Sequence, residues 1–130
     1  MKHRDKFRWY GLVVKIIRNY PEMKLAKEAM RSVSHSDDGI HTQASRTTEN
    51  IALRMLSERE EQDLDAVEKA IEDIGRSRDG GTILRIVDLV DWQGNKVEQA
   101  AIRLYMHRNT AARYRRMFIY EVAKNLGYRR

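Results

Sequence analysis

The sequence contains no cysteine, and this absence excludes disulfide bonds, thiolate zinc sites and thiol chemistry. It has a single proline, Pro21, and few glycines, so there are few points at which a helix must stop. Apolar runs are only a few residues long, and the charged N-terminus is not followed by the apolar core of a signal peptide. We therefore predict a cytoplasmic protein without a membrane-spanning segment.

Strict alternation of apolar and polar residues is also missing, whereas apolar residues recur at helical spacing almost throughout the chain. This pattern predicts an all-α protein. Its 130 residues suffice for one domain, or for one small domain with an appendage. We predict an N-terminal helical hairpin and a long acidic helix joined to a C-terminal three-helix domain. The segments are residues 1–33, a linker at 34–46, the acidic helix at 47–79 and the three-helix domain at 80–130.

The N-terminal hairpin is predicted from an apolar stripe that stops at Pro21. The stripe has the spacing i, i+3, i+7 and i+10 and consists of Phe7, Tyr10, Val14 and Ile17. Asp5 is a candidate cap for the first helix. Because the residue before a proline avoids the helical region, we expect that helix to end at Pro21 and a second to run from Glu22 to Arg31.

The linker at 34–46 has lost this periodicity and is rich in Ser, Asp, Gly and Thr. It contains side chains of the types that bind metals, namely His35, Asp37, Asp38 and His41. Their spacing matches no zinc signature, so we predict neither a metal site nor a cofactor. In the acidic helix, Ser57 and Glu60 are spaced as a capping box. The buried stripe expected to follow is Leu64, Val67, Ile71 and Ile74, with Gly75 at its end.

The C-terminal third is predicted to hold three helices. Thr82 is a candidate cap for the first, whose inward residues are Ile83, Val87 and Val90. Gly94 and Asn95 are turn formers, and Asn95 with Glu98 resembles a capping box that opens the second helix. That helix is expected to run from Lys96 to about Tyr105.

A break at residues 106–108 precedes the third helix, which runs from about Asn109 to Asn125 and is terminated by Gly127. Two helices, a short break and a longer basic helix form a helix-turn-helix pattern. Small or apolar residues stand where the two helices would cross and at the turn: Ala101, Leu104, Met106 and Ala111. Two residues depart from the usual motif, because Tyr105 is less suited than glycine to a left-handed turn and His107 is a poorer cap than serine.

A helical wheel separates the third helix into two faces. The buried stripe is Ala111, Tyr114, Phe118 and Val122, with Met117 and Ile119 beside it. The opposite face carries Asn109, Arg113, Arg116 and Tyr120. Arginine pairs with guanine and asparagine with adenine in the major groove, and recognition helices use their N-terminal residues for base contacts. We predict base contacts from Arg108, Asn109, Ala112 and Arg113, and phosphate contacts from Lys96, Arg103, Arg115 and Arg116.

The distribution of charge favours the same partner. The net charge of +6 arises from two basic segments, each of +6, that flank an acidic segment of −6. The basic segments are residues 1–35 and 81–130, and the acidic one is residues 36–80. A polyanion such as double-stranded DNA fits this segregation better than a uniformly charged enzyme surface does. An arginine-rich helix that merely faces solvent is the alternative explanation.

A family resemblance rests on "TILRIVDLVDWQGNKVEQAAIRLYMHRNTAARYRRMFIYEVAKNLGYRR" and on the preceding acidic stretch "TTENIALRMLSEREEQDLDAVEKAIEDI". Together these segments resemble phage and prophage transcriptional regulators of the RinA/ArpU type, over residues 46–130. The C-terminal part is similar to the DNA-binding region 4 of sigma-70 factors. The resemblance implies an activator of phage late genes in a bacterial host cell, which binds upstream DNA and contacts RNA polymerase. Positions that match the recognition helix are Arg108, Asn109, Ala112, Arg113, Arg115 and Arg116.

Two other classes of protein are alternatives to a regulator. A small terminase subunit of a phage also joins a helix-turn-helix to helical oligomerisation segments, although its DNA-binding part is usually N-terminal. An enzyme is disfavoured, because the sequence shows no nucleophile with its base, no glycine-rich phosphate loop and no metal-ligand spacing. The apolar residues around Trp9 and Ile16 fit either an internal core or the seam of a homodimer or higher oligomer.

Overall fold

The structure, a computed structural model, describes residues 8–35 and 56–129. Within these two ranges it contains α helices and no strand, so the predicted all-α class is confirmed. The helices are α1 (Trp9–His35), α2 (Glu58–Gly75), α3 (Gly80–Val87), α4 (Val97–Arg103) and α5 (Arg108–Asn125). A π-helical turn, Asp88–Trp92, continues directly from α3.

The prediction of an N-terminal hairpin is wrong, because α1 is one helix that passes through Pro21. Pro21 has no N–H to donate to the carbonyl of Ile17. That carbonyl instead accepts a hydrogen bond from the Trp92 indole, at 2.7 Å. The buried stripe of α1 continues on both sides of the proline, as Val13, Ile16, Ile17, Tyr20, Met23 and Ala26. Burial of this stripe outweighs the cost of a proline in a helix interior, about 3 kcal/mol.

The capping box at the start of α2 is confirmed. The Glu60 N–H donates to Ser57 Oγ at 3.1 Å, and the Ser57 N–H donates to Glu60 Oε1 at 3.3 Å. The predicted stripe faces the core, with three residues buried and Ile71 half-buried. The helix ends at Gly75, as predicted, and it begins at Glu58, so it is shorter than the segment 47–79 that was assigned to the acidic helix.

The start of α3 differs from the prediction, in which Thr82 caps the first helix of the C-terminal third. The α3 helix begins at Gly80, and Asp79 occupies the cap position without a side-chain hydrogen bond. A Cβ atom on Gly80 would lie 2.0 Å from the Ile74 carbonyl oxygen. Because only glycine fits this approach, the corner is tighter and α3 starts earlier than the sequence indicated.

The start of α4 also differs, since Asn95 is not its cap. The Asn95 side chain donates to the Leu89 carbonyl at 2.9 Å and so ties the turn to the π-helical segment. Lys96 occupies the cap position, and its N–H donates to Gln99 Oε1 at 3.4 Å, so the predicted pairing with Glu98 is replaced. The π-helical turn and the positive φ of Gly94, 82°, displace the start of α4 by one residue.

The helices share two buried clusters. The larger one joins α1, α2, α3 and the C-terminal half of α5, where Phe118, Ile119 and Val122 are fully buried. The smaller one holds α4 against the N-terminal half of α5 and consists of Ile86, Leu89, Val90, Ala100, Ala101 and Ala111. The α5 helix therefore contributes to both clusters, and its two halves lie in different surroundings.

Some predictions fall outside the described ranges. These are the Asp5 cap, residues 36–46 of the linker with Asp37, Asp38 and His41, and the acidic helix before Leu56. His35 is the last residue of α1. Within residues 8–35 and 56–129, no three metal-ligating side chains cluster, and no helix combines the length and apolar content needed to cross a bilayer.

Candidate nucleic-acid interface

Helices α4 and α5 are joined by a four-residue turn and pack against each other through small side chains. Ala101 and Ala111 are buried at their contact, and Leu104 and Met106 pack against the same cluster. The Met106 N–H donates to the Ala101 carbonyl at 3.0 Å, which closes the turn onto the end of α4. These are the positions that the sequence pattern assigned to the crossing and the turn.

The turn accommodates both residues that depart from the usual motif. Tyr105 adopts the left-handed conformation, with φ of 55°, and its side chain is 96% exposed. This φ ends α4 at Arg103 instead of Tyr105. His107 caps α5, because its Nδ1 accepts a hydrogen bond from the Asn109 N–H at 3.0 Å. The acceptor role requires the imidazole to be neutral with its proton on Nε2.

The two faces of α5 agree with the helical wheel over its N-terminal half. Asn109, Arg113 and Arg116 are exposed, while Ala111 on the opposite side is buried. Farther along, Tyr120 is half-buried and lies against Trp9 of α1, with 6.0 Å between the ring centroids. Tyr120 therefore interrupts the exposed face after Arg116, and Lys124 is the exposed basic residue of α5 beyond it. We call Asn109, Ala112, Arg113 and Arg116 the reading face.

The remaining residues of the predicted set lie around this face. Lys96 and Arg103 are exposed at the two ends of α4. Arg108 is exposed at the first position of α5, and its Nη1 lies 3.0 Å from Glu98 Oε1. Ala112 is half-buried and adds no bulk beside Arg113. The Arg113 guanidinium lies 5.6 Å from the Tyr114 ring centroid, a contact within cation–π range.

Arg115 differs from its neighbours because its guanidinium is bound to Asp91 of the π-helical turn. Arg115 Nε lies 2.9 Å from Asp91 Oδ2, and Nη2 lies 2.7 Å from Oδ1. The side chains are 16% and 1% exposed, respectively. These hydrogen bonds raise the pKa of Arg115, although burial opposes the shift. Arg115 therefore holds α5 against the π-helical turn, and we leave it out of the reading face.

Arg18 on α1 is a basic residue near this site that the sequence did not indicate. Its Nε lies 3.6 Å from Asp91 Oδ1, and its side chain is 57% exposed. The two residues are far apart in the sequence, so no local spacing relates them. The one sequence signal was Asp91 itself, an acidic residue within the apolar run "LVDW".

Comparisons of this chain with protein-family models, with curated proteins and with solved structures gave no match. The geometry and chemistry of the described residues are therefore the indications of function. Their central feature is an exposed face of one asparagine and two arginines, carried by a helix whose opposite side is buried.

Proposed function

We propose that this chain is a sequence-specific DNA-binding transcriptional regulator that inserts the N-terminal half of α5 into the major groove. The observation that carries the proposal is the reading face. It presents Asn109, Arg113 and Arg116 to solvent at the start of a helix whose other side is buried in the α4–α5 contact. A recognition helix needs this arrangement, because its N-terminal side chains must reach base edges while its back is held rigid.

The chemistry of the face suits base recognition. An arginine donates two hydrogen bonds to guanine O6 and N7, and an asparagine pairs with adenine N6 and N7. The small Ala112 side chain lets the helix backbone approach the bases closely. Lys96 and Arg103, exposed at the ends of α4, are placed to contact phosphates on the groove edge.

The charge of α2 supports a single orientation on DNA. This helix carries exposed acidic residues and packs beside the C-terminal end of α5, where the Asn125 side chain donates to the Ala66 carbonyl at 3.0 Å. Exposed cations, including Lys69 and Lys124, also lie at this end, so the orientation is supported only by the excess of acidic over basic residues on α2. Wrong orientations are disfavoured by repulsion.

The resemblance to RinA/ArpU-type regulators supports a role as an activator of phage late genes in the cytoplasm of a bacterial host, with RNA polymerase as the protein partner. A small terminase subunit remains the alternative. The mass of the protein in solution discriminates, since a ring of eight or more subunits favours the terminase, whereas a monomer or dimer favours the regulator.

The test is selection of DNA fragments by the purified protein, followed by mobility-shift titration of the selected duplex. Arg113→Ala should relax specificity at the base pair it reads, at a cost of about 1–3 kcal/mol in binding. Arg116 lies at the far edge of the reading face and is predicted to contact a phosphate, so Arg116→Ala should weaken binding to all sequences about equally.

Lys69→Ala is the matched control. Lys69 is exposed on α2 and lines the same surface cleft as Asn125, at the far end of α5 from Asn109. Sixteen residues of helix separate these two asparagines, about 24 Å. The control should bind DNA like the unmodified protein. If both arginine variants also bind like the unmodified protein, the reading face is wrongly assigned.

A further inference from the structure

A surface cleft of about 580 Å³ lies where α1, the π-helical turn and the start of α4 meet. Its charged and polar lining consists of Arg18, Asp91, Asn95, Lys96 and Arg115. Three of these side chains are cationic and one is a carboxylate. No residue of the reading face lines the cleft, so its charge has a separate origin.

The carboxylate in this cleft is already neutralised. Both oxygens of Asp91 accept hydrogen bonds from Arg115, and the Asp91 side chain is 1% exposed. Arg18 makes only a longer contact of 3.6 Å with Asp91, so it keeps most of its donors available. Lys96 is exposed. The cleft therefore presents two positive charges beyond those that Asp91 balances.

We propose that this cleft binds a phosphate group, with Arg18 and Lys96 as its ligands and the Arg115–Asp91 pair as its rigid floor. A forked guanidinium and a point-charge ammonium from different elements are a suitable pair for a phosphate, which has several acceptor oxygens. The group is either a phosphodiester of the DNA backbone or a free phosphate. The first source rests on the proposed function and would extend the DNA footprint from α5 to α1.

The DNA arm of the test measures affinity for the selected duplex as a function of salt. Because Lys96 is already assigned a phosphate contact at the groove edge, the variant that isolates the cleft is Arg18→Ala, which should lower the slope of log affinity against log salt by about 0.9 for the lost phosphate contact. Arg18→Lys keeps the charge and should restore most of the slope. The variants retain the Arg115–Asp91 pair, and their thermal midpoints should confirm that they fold.

Lys24→Ala is the matched control for Arg18. Lys24 is exposed on the same helix, about 9 Å farther along its axis and about 120° around it. It removes the same charge from α1 without altering the cleft. Its salt slope should equal that of the unmodified protein, and an equal loss of slope would show that general charge, and not the cleft, is responsible.

The second arm titrates inorganic phosphate into the full chain and follows amide NMR signals. Saturable shifts at Arg18 and residues 94–97, lost from residues 94–97 in the Arg18→Ala variant, support the anion site even if no DNA is bound. In that case the ligand is free phosphate and the proposed function fails separately. If the reading-face variants behave as expected but Arg18→Ala keeps the slope of the unmodified protein and phosphate shifts nothing, this inference is overturned and the proposed function stands.

Discussion

The Trp92 indole Nε1 donates a hydrogen bond of 2.7 Å to the main-chain carbonyl of Ile17. In an uninterrupted helix this carbonyl would accept a hydrogen bond from the N–H of residue 21, and residue 21 is the proline. The indole thus supplies the donor that Pro21 lacks and joins α1 to the π-helical turn at the same point. The Trp92 ring also packs on Tyr20 and Phe118, with centroids 5.6 and 6.5 Å away.

This relationship predicts a coupling between Trp92 and Pro21. Trp92→Phe keeps an aromatic ring but leaves a buried carbonyl without its donor, and should lower the free energy of unfolding by about 1–3 kcal/mol. In a Pro21→Ala background the N–H of residue 21 donates to the Ile17 carbonyl. Trp92→Phe should therefore lower the free energy of unfolding by about 1 kcal/mol less in that background. Urea denaturation of the four proteins measures the coupling. Strictly additive costs would show that the hydrogen bond contributes little.

Substitutions of the neighbouring arginines Arg115 and Arg116 on α5 should have very unequal effects on stability. Arg115→Ala leaves the Asp91 carboxylate, 1% exposed, with only the longer contact from Arg18. Breaking such a pair should lower the free energy of unfolding by about 3–5 kcal/mol. Arg116→Ala removes an exposed side chain and should change it by less than about 0.5 kcal/mol. Equal effects of the two variants in urea denaturation would contradict the division of roles.

The left-handed conformation of Tyr105 should be relieved by glycine. A non-glycine residue in this region destabilises the folded state by roughly 1–2 kcal/mol. Glycine removes this strain, but its greater conformational freedom in the unfolded chain offsets part of the gain in stability. We expect Tyr105→Gly to raise the free energy of unfolding by up to about 1 kcal/mol. Tyr105→Ala is the control, because it removes the exposed ring but keeps the strained φ. A similar gain from alanine would assign the effect to the ring.

Asp63 on α2 should make stability depend on pH. Its residue is 8% exposed, and Oδ1 has no hydrogen-bond partner among the described residues, since Arg59 Nε is 3.7 Å away. Burial raises the pKa of Asp63, against the opposing charge of Arg59 and with a smaller contribution from Glu60. The folded state therefore binds the proton more tightly than the unfolded state does. The associated stability is complete below the unfolded pKa, about 3.9, and is lost as pH rises through the folded pKa.

Asp63→Asn isolates this contribution. The variant should be more stable than the unmodified protein at pH 7, and the difference should shrink as pH falls toward about 3, where Asp63 is protonated in both states. Thermal denaturation from pH 3 to pH 7 measures the difference. Asp65→Asn should show no such gain in stability at pH 7, because the Asp65 side chain is exposed and lies 3.9 Å from Lys27 Nζ. A difference that grows on acidification would contradict the sign of the shift.

The sequence predicted the faces of the helices better than their ends. Periodicity placed Leu64, Val67, Ile83 and Val87 in the core, because burial of an apolar stripe leaves a direct trace in residue spacing. The capping box at Ser57 could also be predicted, because its two partners lie within one turn of the helix. Exposure of Asn109 and Arg113 followed from the wheel.

Helix ends and distant pairs could not be predicted in this way. The donor that takes the place of the N–H missing at Pro21 is 75 residues distant from Ile17. Local propensity therefore disfavours a helix through Pro21, and a tertiary contact stabilises it. The pairing of Arg115 with Asp91 is equally non-local. The early start of α3 depends on the space beside Gly80, which no propensity describes. What is missing from the sequence is the position of one element relative to another.

The division of α5 between two clusters has a consequence for variation in the core. Phe118 is fixed in the larger cluster, whereas Asn109 stands at the solvent end of the same helix. Nine residues separate them, about 14 Å of axis, so a tilt of roughly 10° at Phe118 moves Asn109 by about 2 Å. That displacement exceeds the tolerance of a bidentate hydrogen bond. Under the proposed function, substitutions that repack the interior near Phe118 should therefore change the preferred DNA sequence while the reading face itself stays the same.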